Sequence, residues 1–351
     1  MTPDATLLAI LNLARWAPSG DNVQSWQFEV VAPRQVVVHC RDTRADVVYD
    51  LHGHPSQISF GALLETIAIA ASAHQLRTEV ERQGSEPAPV FQVRFVADVA
   101  VTPSPLIGAI AQRTVQRRPL SRRPLSDEHK RQMEQAVGAG YMIQWIEGAQ
   151  RLQAARLMYR NARLRLIMPE AFEVHRSIID WDNDHSKDKV PAQTLGLDAL
   201  TLKSMRWAMH SWQRMRAMNR LMGTWAPRLQ MDFLPGLACA AHYVIRAERA
   251  PQGIDDYVAA GRAVQRFWLT LTQLGLLMQP EMTPLIFSSY LRDGIVFTAQ
   301  QEIVDGARQL QQALEVLIAG DVRQAVYMGR LGYGAAPQSR SFRKDLTDLL
   351  R

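Results

Sequence analysis

The chain has 351 residues, with 40 Lys plus Arg against 34 Asp plus Glu, a formal net charge of +6, 47% hydrophobic residues and 21% charged residues. That balance excludes extensive disorder and supplies enough chain for one large core or two ordinary ones. Two cysteines, Cys40 and Cys239, are too few for a disulfide framework or a cysteine metal site, so a reducing cytoplasm is the default expectation.

The basic excess is spread through helical stretches among Trp, Met and acidic residues, without a zinc-finger or RNA-recognition motif. This favours a small anionic molecule over nucleic acid. Met1 to Asp4 lacks the basic start of a secretory signal, and no run of roughly 18 apolar residues marks a span, so no membrane partner is expected.

Thr2 or Asp4 is placed to cap a first helix in which Leu7, Leu8, Leu11 and Ala14 recur at helical spacing. Ala17-Pro18-Ser19-Gly20-Asp21-Asn22 then gathers turn formers between a helix pattern and a strand pattern, the kind of boundary at which a scaffold offers polar groups to a ligand. Gln27 to Val31 and Gln35 to His39 read as a hairpin about Pro33 and Arg34. His52 and His54, two apart in a loop, fit helix-borne metal spacing poorly. Gln57 opens an apolar helix containing Leu63, Leu64, Ile67, Ala68 and Ala71, in which Gly61 permits close backbone approach. Arg82 to Pro89 is turn-rich and Val90 to Val99 alternates as a strand. Thr102-Pro103-Ser104-Pro105 divides the chain into 1–104 and 105–351.

The second part opens with a short helix, Pro105 to Arg113, and a basic run, Arg113 to Pro124; Ser126-Asp127-Glu128 starts the next helix. After a strand at Met142 to Ile146, helices are expected over Arg151 to Ile167 and Asp198 to Met222. Between them Asp182, Asp184 and His185 lack the glycine and closing glutamate of a calcium loop and read as a solvated loop. Trp207, Met209, Trp212, Met215, Met218 and Met222 suggest an adaptable core, with an apolar substrate ceiling as the alternative. Leu237 to Ala247 reads as a central strand. The helix from Asp255 carries Gly261 at its middle, at about 1 kcal/mol relative to Ala, which implies close packing there. Ile303 to Ile318 is a further helix, and Ala325 to Gly334 is a strand running into a basic tail.

Four segments carry a family resemblance. Arg15, Ala17, Pro18, Ser19, Asn22, Gln24, Trp26 and Phe28 stand in an order and spacing that closely resemble the signature of the FMN-dependent nitroreductase superfamily. Arg113 and Arg117 resemble its basic motif, although Val115 occupies the hydroxyl position and Thr114 lies one residue off register. GRAVQRFWLTLTQLGLLMQPEM, residues 261–282, resembles its second core helix and the loop beside the flavin, and Gly332-Tyr333 with Arg340 and Arg343 resembles its phosphate clamp. Lys187 to Leu197 resembles a passage of the larger, duplicated Acg-type members.

The resemblance implies an α+β nitroreductase-like fold, duplicated as a pseudo-dimer, with antiparallel-rich sheets flanked by helices and a helical insertion at about 150–225 acting as a lid. The first-half loop comes before the basic motif, in reverse of the family's order, and Val137 to Trp145 lacks the Pro-Ser-Asn contacts of a second loop. One FMN between the halves is therefore implied. Its expected binding residues are Pro18, Ser19, Asn22, Gln24, Arg113, Arg117, Gln279, Pro280, Glu281, Met282, Arg340 and Arg343. No metal and no catalytic side chain are expected, because the flavin carries the chemistry. The implied activity takes hydride from NADH or NADPH to a nitroaromatic, quinone or activated alkene. The alternative is a flavin-binding or flavin-sequestering protein without turnover. A monomer by internal pseudo-dimerisation, or a weak homodimer, is expected.

Overall fold

The computed structural model describes residues 4–351; Thr2, one of the two candidate caps, lies outside the described residues. Asp4 caps α1 (Ala5–Ala14), its carboxylate accepting from the Thr6 amide at 3.2 Å. After the loop come β1 (Trp26–Ala32), β2 (Gln35–Cys40), α2 (His54–Ser72), β3 (Leu76–Gln83) and β4 (Val90–Ala97). They form an antiparallel sheet in the order β1-β2-β4-β3. Phe28, Val36, Val38, Phe91 and Phe95 point from it into a core shared with α1 and α2. α2 begins at His54, ahead of its apolar run, because Pro55 is tolerated in a first turn whose amides have no partner within the helix.

The second unit contains α3 (Asp127–Val137), β5 (Tyr141–Ile146), α4 (Gln150–Ile167) and α5 (Pro169–Ile178). Three short strands follow, β6 (Ile179–Asp180), β7 (His185–Ser186) and β8 (Val190–Pro191), then α6 (Ala199–Ala208), α7 (Trp212–Met222), α8 (Trp225–Arg228) and α9 (Leu234–Leu237). The chain then returns through β9 (Ala241–Ala247), α10 (Ile254–Gln273), β10 (Leu277–Pro280), α11 (Thr283–Asp293), α12 (Gln301–Leu317) and β11 (Ala325–Gly332). It ends with β12 (Arg340–Ser341) and α13 (Leu346–Leu349). The second large sheet has the order β5-β9-β11-β10, again antiparallel throughout.

Leaving aside the segments between β5 and β9 and between β10 and β11, each unit runs helix, two strands, helix, two strands. Their strands assemble in the same order. The two long helices, α2 and α10, cross where Gly61 meets Gly261. A Cβ on Gly61 would lie 1.9 Å from the Val258 carbonyl oxygen, and one on Gly261 would lie 2.0 Å from that of Ile58. The crossing is reciprocal, residue for residue, and it explains why glycine occupies both positions.

Two sheet edges are also extended by segments distant in the chain. The tail bridges Leu350 to Phe28 at the free side of β1, with the Arg351 amide donating to the Phe28 carbonyl at 2.8 Å. Val115 bridges Met278 beside β10, and the Gln116 amide donates to the Met278 carbonyl at 2.9 Å. Loop residues Val47 to Leu51 enter a separate core among α4, α11 and α12, where the Tyr290 hydroxyl accepts from the Leu51 amide at 2.8 Å.

Several elements differ from the sequence reading. Pro105 to Arg113 holds only a single turn at Ile107–Ala109. The helix expected over Asp198 to Met222 breaks at Ser211, whose extended backbone and hydroxyl start α7 by accepting from the Arg214 amide at 3.3 Å. The strand expected from Leu237 starts at Ala241, after a helical turn. Gln279 and Pro280, expected in a loop, close β10.

Candidate functional site

The loop between α1 and β1 adopts costly backbone. Asp21, Asn22 and Gln24 have φ of 50°, 66° and 50°, three non-glycine residues in the left-handed region within four positions. Side chains from distant segments hold it. The Asn22 Oδ1 accepts from Arg343 Nη1 at 2.7 Å, and its Nδ2 donates to the Lys189 carbonyl at 3.2 Å. The Ser19 hydroxyl accepts from the Gln24 amide at 3.0 Å.

This loop forms one wall of a cavity of about 400 Å³ between the two units. Pro18, Ser19 and Asn22 line it from the first unit. Arg113 and Arg117 line it from the basic run, Gln279, Pro280, Glu281 and Met282 from β10 and the residues after it, and Arg340 and Arg343 from the tail. Gln24 does not line it. It lies behind the wall, its Nε2 donating to the Asn22 and Lys187 carbonyls at 2.9 and 2.8 Å and its Oε1 accepting from the Lys344 amide at 2.8 Å. Gln24 thereby ties loop, insertion and tail together. Gln24→Ala is expected to leave these three carbonyl and amide groups unpaired, to cost about 2 kcal/mol, and to speed limited proteolysis between β7 and β8. Unchanged cleavage there would show that the tie is dispensable.

One corner of the cavity concentrates positive charge. Arg113 and Arg343 are buried and Arg340 is half-buried, and among the described residues no carboxylate pairs with any of the three. Arg113 donates to the Trp16 carbonyl at 2.9 Å and lies 4.4 Å from the centre of the Trp268 ring. Arg343 Nε donates to the Ala17 carbonyl at 2.9 Å, and Arg340 Nη2 donates to the Ala111 carbonyl at 2.9 Å. The Nε atoms of Arg113 and Arg340 are buried without a partner. Burial, with Arg343 alongside, pushes the Arg113 guanidinium well below its usual range, and burial brings Arg343 down to about 9. A bound anion is the group that relieves this arrangement.

A second charged group includes two further lining residues, Glu281 and Arg330. Glu281 accepts from His242 Nδ1 and from Arg330 Nη1, each at 2.7 Å, and all three residues are buried. His242 Nε2 faces the Gly236 carbonyl at 2.8 Å, so both ring nitrogens face acceptors and the ring is the doubly protonated cation. Burial opposes that charge, but Glu281 outweighs it and raises His242 above its ordinary value. Glu281 is held below its own, again against burial, by His242 and then Arg330. The cluster carries a net positive charge beside the cavity.

The insertion between β5 and β9 roofs the cavity. Met158, Arg165, Met205, Met209 and Met231 line it from this side, together with Leu195 and Leu197. The roof extends past the expected end near residue 225 to Asp232, which pairs with Arg165 at 2.8 Å. Its seam to the tail runs through β12, parallel to β7, and through the Ser341 hydroxyl donating to the Lys189 carbonyl at 3.0 Å; Lys187 pairs with Asp345. Met215 and Met218 pack in the core of the roof, whereas Trp207 and Met222 are exposed.

Sequence reading missed Arg330, Trp268, Arg165 and Asp232 as lining residues. Arg330 alone left a legible signal, a single charge within an otherwise apolar strand. His52 stacks on His54 with ring centres 4.7 Å apart and faces Asp293 at 3.3 Å, while Asp182 pairs with Arg206. Among the described residues no group of three or more His, Cys, Asp or Glu is placed to hold a metal ion.

No family model matches the chain. The uncharacterized protein MT1398 of Mycobacterium tuberculosis (strain CDC 1551 / Oshkosh) is 26% identical over 290 residues, which cover 81% of this chain and 39% of that protein. The chain thus spans about two fifths of the length of the curated relative it matches. Two solved structures align with it. A nitroreductase-like family protein from Bacillus cereus shares 10% identity over 70% of this chain and 95% of its own, with a TM-score of 0.36. The FMN-dependent nitroreductase NfnB from Mycobacterium smegmatis, in complex with NADPH, shares 15% identity over 69% of this chain and 95% of its own, with a TM-score of 0.36. Neither degree of likeness decides function, which rests on the cavity's own residues.

Proposed function

We propose that the chain is an FMN-dependent oxidoreductase of nitroreductase type, built as an internal pseudo-dimer of residues 1–104 and 105–351, with one flavin between the halves. The observation that carries this reading is the corner of Arg113, Arg340 and Arg343, guanidinium groups without a carboxylate partner that face one cavity with a loop of nitroreductase-like sequence. Its volume falls within the range of about 300–1,000 Å³ typical of small-molecule sites. The recurrence of element order, strand order and the Gly61–Gly261 crossing supports the duplication.

The residues present fit the cofactor. A phosphate monoester supplies the dianion that the three arginines lack, and arginine's planar fork suits it. Pro18, Ser19, Asn22 and the backbone of Gln279 to Met282 would hold the remainder against Trp268 and Ile58. When bound, FMN supplies hydride and electron transfer between NADH or NADPH and a small acceptor such as a nitroaromatic, quinone or activated alkene. The protein's task is then to bind the phosphate, orient the ring and exclude water beneath the roof.

FMN is expected to bind the purified chain more tightly than riboflavin, which lacks the phosphate. Arg113→Met or Arg343→Met should remove roughly 10- to 100-fold of that preference. Equal affinity for the two flavins in the unmodified chain would refute the assignment of the corner. The second reading, a flavin-holding protein without turnover, draws on the hydrogen-bonded seam between roof, loop and tail. An FMN-loaded chain that stays yellow with both NADH and NADPH under anaerobic conditions favours that reading; bleaching by either favours the enzyme.

A further inference from the structure

We infer that the outer face of the roof docks on an anionic lipid bilayer. Between Asp198 and Asp232 the chain carries six cations, Lys203, Arg206, Arg214, Arg216, Arg220 and Arg228, and no acidic residue. Among the described residues no carboxylate pairs with Lys203, Arg214, Arg216 or Arg220. The same segment exposes Leu200, Trp207, Leu221, Met222 and Trp225, each between 49% and 83% accessible.

The pattern follows from helix geometry. On α6, Leu200, Lys203 and Trp207 stand three and four residues apart and share a stripe; on α7, Arg214 and Leu221, two turns apart, share another. The stripes meet where the Arg214 guanidinium lies 5.4 Å from the centre of the Trp207 ring. The opposite faces are satisfied, with Met205, Ala208, Met215 and Met218 buried in the roof's own core.

A solvated helix face carries charges of both signs and few large apolar groups. Lys203, Arg214, Arg216 and Arg220, interleaved with tryptophan and leucine and paired with no carboxylate among the described residues, complement phospholipid headgroups and the acyl boundary beneath them. No described helix is long and apolar enough to cross a membrane, which has no bearing on surface docking. Met205 of α6 and Met209 just past its end also line the cavity, so one helix serves both the roof and the docking face. The inference stands independently of what the cavity binds.

The test is co-sedimentation of the full chain with vesicles of phosphatidylcholine alone and with about one third phosphatidylglycerol. Sedimentation only with the anionic vesicles, reversed by high salt and accompanied by a blue shift of tryptophan emission, is the expected result. Arg214→Glu combined with Arg220→Glu should weaken partitioning by about tenfold or more, and Trp207→Ser combined with Trp225→Ser should abolish the blue shift. All four positions are exposed or surface-facing, and an unchanged melting temperature verifies that the variants fold. Failure to sediment, equal binding to neutral vesicles, or binding unaltered in both variants overturns the inference. So does self-association, or capture of an acidic protein, that these variants abolish in a chain that ignores vesicles.

Discussion

Gly61→Ala is expected to lower stability by about 3 kcal/mol or more, even though alanine is the better helix former by roughly 1 kcal/mol. The added methyl would sit 1.9 Å from the Val258 carbonyl oxygen, which belongs to helical backbone and cannot swing aside. The helices must separate, and the separation spreads beyond the crossing. Ile58, Ser59 and Ala62 of α2 and Val264 and Trp268 of α10 all line the cavity. Thermal melting should show a drop of roughly 5–10 °C, with ligand affinity falling in parallel. Gly261→Ala should behave alike, since its methyl meets Ile58 in the same way. Gly108→Ala, where no heavy atom lies within 4 Å, is the control and should be close to neutral. A melting temperature for Gly61→Ala equal to that of the control would disprove the account of the crossing.

The second large effect belongs to Glu281. Glu281→Gln keeps the shape of the side chain but leaves His242 and Arg330 facing one another without the carboxylate. Breaking a buried ion pair from one side costs about 3–5 kcal/mol, and denaturant unfolding at pH 7 should show it.

The pH dependence has a definite sign. His242 is raised from 6.5 to about 10 in the folded chain, so its contribution is complete below about 6.5 and is lost as pH rises through about 10. Glu281 is depressed below 4.5, so its contribution is present above that value and is lost as pH falls through the folded one. Unmodified protein should therefore lose stability between pH 7 and 10 as native His242 retains a proton that the unfolded chain has released. In Glu281→Gln that slope should flatten, because His242 no longer has a reason to stay charged. An alkaline slope identical in the two proteins would mean that the cluster is not the titrating group.

Much of the candidate site was legible in turn chemistry and in the family resemblance. Pro18, Ser19 and Asn22 are turn chemistry at a helix-to-strand boundary, whereas the arginines of the basic run and tail were singled out by the family resemblance. Eleven of the twelve expected residues line one cavity, while Gln24 lies behind it. What stayed hidden was produced by tertiary convergence. His242, Glu281 and Arg330 are far apart in the chain, and nothing in the sequence joins them into one cluster. In the fold, six of the eight strands of the two large sheets and the long helices could be read from periodicity. β3 was missed because its sequence, LRTEVERQ, alternates weakly on an edge strand largely open to water. The break between α6 and α7 was missed because apolar spacing continues across it, and only the Ser211 cap marks the new start.

The placement of the roof has a consequence for how the chain folds. β1 and β2 are joined by the two-residue turn at Pro33 and Arg34, so their hairpin forms from neighbours in sequence. Their counterparts β5 and β9 enclose all of residues 147–240. Closing a loop of that length carries an entropy penalty that grows only slowly with length, but the pairing must wait for distant segments to meet, and such non-local contacts are slow. The first sheet can therefore assemble early and offer α2 as a template for α10. The second sheet cannot be completed until the segment forming the roof has collapsed between its strands. Changes within the roof's methionine core should accordingly retard completion of a sheet they barely touch, and the cavity should be among the last features to appear.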